Sequence, residues 1–486
     1  MRVIIVGAGS AGLMTAALLS TDHEVIVLEK KDRPAKKLLA TGNGRANLTN
    51  TSLSPENYHG GKALATPIIE RYGTDAVRET FRRLGLETTI LPDGRVFPQS
   101  MEAKSVLDTF YRVFRARGVM LRYKEEVTGL FPGEHWRVTT KNVSYEADAV
   151  IFAPGGATMR ASGSDGTAYA LALALGHHTT RLLPGITKLS TTKDVSQAAG
   201  VRLTTGTLFV RDPYVGHTGD ILFTEDGVSG QAMYHLSSEI LRRNAAFYIR
   251  ALPREYTKND FYKHLALLRA YTVHDALIGL LPEKLIPVLA GRWEERRVDA
   301  LTALEADGLY SALTEKAFFV REIPPMETAQ VTQGGIDTNE VTEELESKLH
   351  PGLYFAGEVL DVDGDCGGYN LHWAWACAMT IAAALGKEKD DQLRRTYTDD
   401  GRAHRDRRQR EKQMDERPRH HDGDHPRSLV GRLLSSPQRE TRARCLSGTT
   451  RVHDDRLGRR RMRRGVLAGK DPHRPRRPRL SGTHRL

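Results

Sequence analysis

The chain has 486 residues, 40% of them apolar, and a formal net charge of +11. That length predicts two to three domains with ample core; the absence of any run of 18 apolar residues argues against a membrane span, and the apolar N-terminus lacks the charged leader of a signal peptide. The charge is uneven: 26 of 71 Lys and Arg and 10 of 60 Asp and Glu fall after residue 400, so residues 401–486 carry +16 and residues 1–400 carry −5.

Arg2–Val6 is a β-branched run, Ala11–Leu19 a small-residue helix and Glu24–Leu28 a second β-branched run. Together they predict a βαβ unit in a parallel sheet with ligands at the carboxyl ends of its strands. The turn between strand and helix is Gly7-Ala8-Gly9-Ser10-Ala11-Gly12, and Glu29 follows Gly9 by 20 residues. In this spacing Gly7 permits the tight turn, Gly9 lets the backbone approach a pyrophosphate, and Gly12 lets helix and strand pack closely. The helix N-terminus offers free N–H donors to phosphate. Glu29 accepts from ribose hydroxyls and repels a 2′-phosphate, which suits FAD or NAD rather than NADP.

Residues 36–50, KKLLATGNGRANLTN, follow the acid-bearing strand. Gly42 and Gly44 bend this segment, and Arg45 with the Lys36–Lys37 pair brings cations toward the same anion. Lys104–Phe114 has the apolar spacing of a helix. Short alternating segments then lead to an apolar strand, Ala149–Ala153, which ends at Pro154-Gly155-Gly156, and Asp165–Gly176 is expected to be helical. Residues 186–230 alternate apolar and polar positions and predict antiparallel sheet, whereas 231–322 have helical spacing. Residues 327–386 return to the strand-turn-helix style. The expected fold is therefore α/β: a Rossmann-like nucleotide-binding domain built from 1–185 and 327–386, interrupted by an inserted domain, 186–326.

From residue 387 the material changes, and residues 401–486 hold 24 Arg against 2 Lys. Sparse apolar residues without period predict no packed structure there. The composition is that of a disordered extension or of GC-rich DNA translated out of frame. With few aromatics among the charges, a nucleic-acid partner is not expected; the alternative reading is a non-catalytic or RNA-linked protein in which a bound dinucleotide serves structure or sensing and this segment grips RNA. Cys366, Cys377 and Cys445 form no C-x-x-C and no metal spacing, so no metal is expected and the expected compartment is a reducing cytoplasm.

The segment from Gly352 to Leu371, GLYFAGEVLDVDGDCGGYNL, decides between the dinucleotides. A strand ends at Gly357-Glu358, a glycine-rich loop follows, and a helix begins near Gly368. An FAD site needs this second end: the acid for the ribitol, and a helix N-terminus whose dipole favours negative charge on reduced flavin. A lone NAD domain has no use for it. The sequence contains no second G-x-G-x-x-G after a strand, so NAD(P)H is expected only as a transient visitor over the flavin, with oxygen as the alternative electron acceptor.

These stretches resemble the YhiN/BaiN-like FAD flavoproteins, also described as aminoacetone-oxidase-like or NAD(P)/FAD-dependent oxidoreductases. The similar segments are GAGSAGL at 7–13, KKLLATGNGRANLTN at 36–50, DGRVFPQS at 93–100, APGGATM at 153–159, GSDGTAY at 163–169, DILFTEDGVSG at 220–230, TQGGI at 332–336 and GLYFAGEVLDVDGDCGGYNLHWA at 352–374. The resemblance spans about 1–386. It implies an FAD domain interrupted by a β-barrel-like and a helical region, a small or medium organic substrate, and hydride transfer in C=C reduction or amine oxidation. Carried over by position, it implies FAD contacts at Gly9, Ala11, Gly12, Glu29, Lys30, Arg45, Val127, Glu358, Asn370 and Leu371, with Val127 meeting adenine through its backbone. Gly7, Gly44, Gly156, Gly357 and Gly368 complete the expected cofactor cradle. The chain departs from the family pattern at Ala35, where Gly is common, at Ala46, where Cys is common, and at Pro154, where Thr is usual.

No catalytic acid or base is assigned by the sequence. His372, Tyr369 and Asp363 are the candidates nearest the expected flavin face, and His372 has the type of side chain that protonates a substrate at neutral pH. Its more ordinary reading is a helix histidine held by a hydrogen bond. Cys377 reads as core.

Overall fold

The computed structural model describes residues 1–19 and 23–386; the arginine-rich segment lies outside the described residues. The β-branched strand Arg2–Val6 is buried on both faces, as central parallel strands are. It pairs with Glu24–Glu29 on one side and Ala149–Phe152 on the other. Leu353–Phe355 and Met120–Tyr123 extend the sheet at the two edges, giving five parallel strands in the order 353–355, 149–152, 2–6, 24–29, 120–123. The register sets Ile5 between Val27 and Ile151. A strand more than 300 residues from the start of the chain thus completes the sheet that the first strand begins.

Ser10–Leu18 is a helix of small residues buried from Ala11 to Ala17, and it packs against both the helix Ala103–Arg117 and the long last helix Tyr369–Leu385. A helix apolar all round belongs inside a protein rather than on its surface. The Ala103–Arg117 helix extends the expected span at both ends. The stretch expected as a helix over 165–176 is helical only over Tyr169–Ala174, because Gly166 and Gly176 both adopt positive φ. Trp375 lies at the centre of the apolar core, edge-on to Phe81 at 5.2 Å and donating its indole N–H to Leu48 O.

Residues 189–318 build a second apolar core around a six-stranded antiparallel sheet. Its long hairpin is Arg202–Val210 with Val215–Phe223. Two strands, Phe247–Arg250 and Lys316–Phe318, come from the stretch whose spacing is helical and join the same sheet. The sheet closes on itself: Thr191, beside the first strand, bridges Val320, beside the last, and Arg321 N–H donates to Ser190 O. Closure removes exposed strand edges, and helices such as Gln231–Arg243 cover the barrel.

Candidate functional site

A cleft of about 1320 Å³ runs along the carboxyl ends of the parallel strands, larger than the roughly 300–1,000 Å³ of ordinary small-molecule pockets. One end is walled by Leu28, Glu29, Lys30 and Val127, the middle by Gly7–Ala11, and the other end by Arg45, Gly357, Glu358 and Gly367–Leu371. Gly9 precedes the first helix with an ordinary φ of −83° and no side-chain cap. A Cβ built on it meets nothing within 4 Å. Gly368 precedes the last helix, also without a side-chain cap. Neither helix has an acidic residue in its first turn, so two sets of unsatisfied N–H donors face the same cleft.

Three polar atoms of lining residues, Asn47 Oδ1, Glu125 Oε2 and Ser164 Oγ, are buried without a partner among the described residues. Buried polar atoms are normally paired. Uncapped helix ends, an open approach at Gly9 and unpaired wall atoms together fit an elongated ligand with phosphates in its middle and polar groups at its ends.

The expected cofactor residues divide into two groups. Gly7, Gly9, Ala11, Glu29, Lys30, Arg45, Val127, Gly357, Glu358, Gly368, Asn370 and Leu371 all line the cleft. Gly12, Gly44 and Gly156 do not. Gly12 is pressed on the turn, where a Cβ would stand 2.1 Å from Gly7 O. Gly44 is exposed and shapes its turn at φ +79°. Gly156 lies behind the wall, where a Cβ would come within 2.8 Å of Glu358 Oε1.

Several lining side chains already have protein partners. Glu29 is buried and accepts from Ala8 N at 3.0 Å and Lys31 N at 2.8 Å, which fixes its carboxylate at the end of its strand. Lys30 pairs with Asp165 at 2.7 Å. Arg45 donates through Nε to Gly42 O and lies over the Phe97 ring at 5.0 Å. Asn370 clasps Gly364, accepting from its N–H at 2.8 Å and donating to its carbonyl at 2.7 Å. Its side chain therefore shapes the glycine-rich loop, and its backbone remains for a ligand.

Glu358 ties three distant segments. It accepts from Lys37 Nζ at 2.5 Å, Thr158 Oγ1 at 3.1 Å and Thr332 N at 2.9 Å.

The catalytic candidates need correction. Tyr369 lines the cleft, and burial raises its pKa. His372 does not line it: it is fully buried in the core and shares a 2.8 Å hydrogen bond between Nδ1 and Thr49 Oγ1. Burial lowers its pKa to about 4, so it is neutral at pH 7 and has no path to a substrate. Asp363 is likewise buried off the cleft, with Arg242 Nη2 donating to its Oδ1 at 2.7 Å. Burial raises its pKa, and Arg242 opposes that shift. Both residues are immediate neighbours of lining residues, Leu371 and Trp373 for His372 and Val362 for Asp363, and packing turned them inward. Cys377 is fully buried in the core; Cys366 lines the cleft, and burial pushes its thiol up to about 11.

Sequence reasoning missed the far wall. Gln231, Tyr234 and His235, from the helix Gln231–Arg243 on the barrel, close the cleft beyond Asp365 and Cys366. The available signal was the position of QAMYH directly after DILFTEDGVSG. Among the described residues no group of three metal-binding side chains occurs, and no helix is long and apolar enough to cross a membrane.

The model of the HI0933-like protein Rossmann domain matches residues 1–384. The chain is 32% identical over 406 residues to the 3-dehydro-bile acid delta(4,6)-reductase of Clostridium scindens, covering 79% of this chain and 99% of that protein. It is 27% identical over 405 residues to the ribosomal RNA dihydrouridine synthase of Escherichia coli, covering 78% and 98%. Among solved structures it is similar to the 3-ketosteroid-delta4-(5alpha)-dehydrogenase of Rhodococcus jostii in complex with 4-androstene-3,17-dione, at 16% identity and a TM-score of 0.42, covering 79% of this chain and 96% of that one.

Proposed function

The chain belongs to the HI0933-like Rossmann family of FAD-dependent oxidoreductases, and from that premise we propose that it reduces a C=C bond conjugated to a carbonyl in a small or medium organic substrate. One observation carries this reading: the cleft continues past the glycine-rich loop to a polar wall built by the insertion, leaving room for a substrate beside the cofactor. Support comes also from the two curated relatives, whose names both denote hydrogenation of a ring C=C, in a bile acid and in uridine.

The residues fit FAD as follows. The backbone amides of Gly9–Ala11 receive the pyrophosphate at the first helix, and the spare lone pairs of Glu29 receive ribose hydroxyls. Backbone at Val127 meets the adenine. The amides of Asn370 and Leu371, at the start of the last helix, favour negative charge at the flavin end. Bound FAD supplies two-electron hydride chemistry. The chain's own part is to hold and orient the two reactants. The Glu358 tie fixes the loop around Lys37 against the strand ends, and the insertion's helix covers the far end.

The test is anaerobic. The purified holoprotein is reduced with NADH or NADPH and then offered a 3-oxo-Δ4 steroid, a simple cyclic enone, or ribosomal RNA, and flavin reoxidation is followed by absorbance. Reoxidation by a conjugated C=C compound with formation of its dihydro product is the expected result. Bleaching of the oxidised protein by amines, with no reoxidation by any conjugated acceptor, would replace the reading with amine oxidation.

A further inference from the structure

The far wall of the cleft holds two imidazoles with an unusual arrangement. His235, from the helix Gln231–Arg243, lies flat on His217, from the strand Val215–Phe223, with ring centroids 3.9 Å apart and planes 15° from parallel. Both are only partly buried, and His235 lines the cleft. Among the described residues no hydrogen bond reaches a ring nitrogen of either one, whereas His59, which does not line the cleft, is paired with Asp365 at 2.8 Å. Two stacked imidazolium rings would repel. Burial lowers the pKa of both, that of His235 to about 4, with Asp365 opposing in each case, so the pair is neutral at pH 7. A neutral imidazole has one N–H to give, and that of His235, a cleft-lining residue, has no acceptor among the described residues.

Reduction of a conjugated C=C bond, the reading on which this inference rests, needs a donor at one place. When hydride adds to the β-carbon, the displaced electron pair moves onto the carbonyl oxygen. A donor placed at that oxygen stabilises the transition state more than the ground state. We propose that His235 is the catalytic residue that holds the substrate carbonyl, donating its imidazole N–H to the oxygen, and that His217 acts as a positioning residue by fixing the ring through stacking. In the step, hydride from reduced FAD forms the new C–H bond at the β-carbon. The C=C π pair becomes the enolate held by His235, and the α-carbon then takes a proton from water. The substrate gains one hydride and one proton, and the flavin is the two-electron donor. A neutral imidazole acting as an electrophile toward a carbonyl is established chemistry for a histidine of depressed pKa.

The inference is tested on holoprotein carrying His235→Phe, His235→Gln or His217→Phe, with FAD content and visible spectrum as the check on folding. In H235F the rate of flavin reoxidation at saturating enone should fall about 100-fold, as for loss of one oxyanion donor, with little change in KM. H235Q, which keeps an N–H donor, should recover most of it, and H217F should lose less than H235F. A second measurement needs no turnover: phenols of graded acidity, mimics of the enolate, are titrated against the oxidised protein and read through perturbation of the flavin absorbance. Wild type should bind the more acidic phenols more tightly, and H235F should lose about tenfold in affinity, the equivalent of about 1.4 kcal/mol. If wild-type protein reduces no conjugated acceptor, the functional reading fails and the phenol titration alone decides the role of His235. Phenol binding that is absent in wild type or unaltered in H235F, or an unaltered reoxidation rate in H235F, overturns the assignment.

Discussion

Replacing Gly9 and Gly12 separately by alanine distinguishes a ligand contact from a packing contact three residues away. A Cβ at Gly9 meets no protein atom within 4 Å, and the residue's φ of −83° suits any L residue. Gly9→Ala should therefore leave the apoprotein as stable as wild type. Its methyl would enter the space assigned to the pyrophosphate, and overpacking of this kind costs about 1–3 kcal/mol. FAD affinity should then fall about 5- to 150-fold at roughly 1.4 kcal/mol per decade. At Gly12 the Cβ would stand 2.1 Å from Gly7 O and 3.2 Å from Ile5 Cγ2. The clash is with backbone, so the helix must move off the strand. Alanine in a helix interior recovers about 1 kcal/mol of propensity over glycine, which leaves a net loss of up to about 2 kcal/mol after overpacking of about 1–3 kcal/mol, the upper end being expected for a backbone clash. The assay is a pair of measurements on each variant: urea unfolding of apoprotein, and FAD titration by quenching of flavin fluorescence. G9A that binds FAD as tightly as wild type would refute the placement of the phosphates at this turn. G12A with full apoprotein stability would refute the packing argument.

The buried imidazole of His372 gives a pH dependence. Its folded pKa of about 4 lies below its ordinary 6.5, so the unfolded chain binds the extra proton. Stability is full above pH 6.5 and declines toward pH 4, by at most about 1.4 kcal/mol per pH unit for this group. His235 adds a second group in the same window; His372→Gln should therefore reduce the slope by about one proton in urea titrations at stepped pH. An undiminished slope would count against a neutral buried ring. Arg242→Ala strands the fully buried Asp363 carboxylate and should cost about 3–5 kcal/mol. The double variant with Asp363→Asn should regain part of that in the same unfolding assay. Ala35 sits at φ +58°, where a Cβ costs about 1–2 kcal/mol. After the entropy glycine loses on folding, about 0.5–1 kcal/mol, Ala35→Gly should stabilise by up to about 1.5 kcal/mol, read as a raised urea midpoint.

The features that were legible in the sequence are those whose physics is local. The turn from Gly7 to Gly12 is a matter of spacing, and Glu29 follows at the end of the adjacent strand, so both could be read before any packing was known. The late glycine-rich loop was legible because strand, glycine-rich turn and helix follow one another directly in that stretch of sequence. The direction of side chains within the last helix was not legible. Tyr369 and Leu371 face the cleft while His372 turns into the core toward Thr49, an outcome set by neighbours contributed from residues near 50 and 72. Asp363 was misplaced for the same reason: its partner Arg242 lies 121 residues away on the insertion. His217 and His235 meet because the helix Gln231–Arg243 packs against the strand Val215–Phe223, a tertiary contact that spacing does not reveal.

The Glu358 tie carries a consequence for biosynthesis. Its partners are Lys37, Thr158 and Thr332, and the edge strand Leu353–Phe355 is laid down just before it. A ribosome that has translated the fingerprint has made only the phosphate-binding half of the cleft; the wall that grips the other half emerges some 350 residues later. Cofactor capture should accordingly be an event of the nearly finished chain. In synthesis truncated after residue 330, FAD should fail to protect the nascent protein from protease, although the opening strand, turn and helix have long left the exit tunnel.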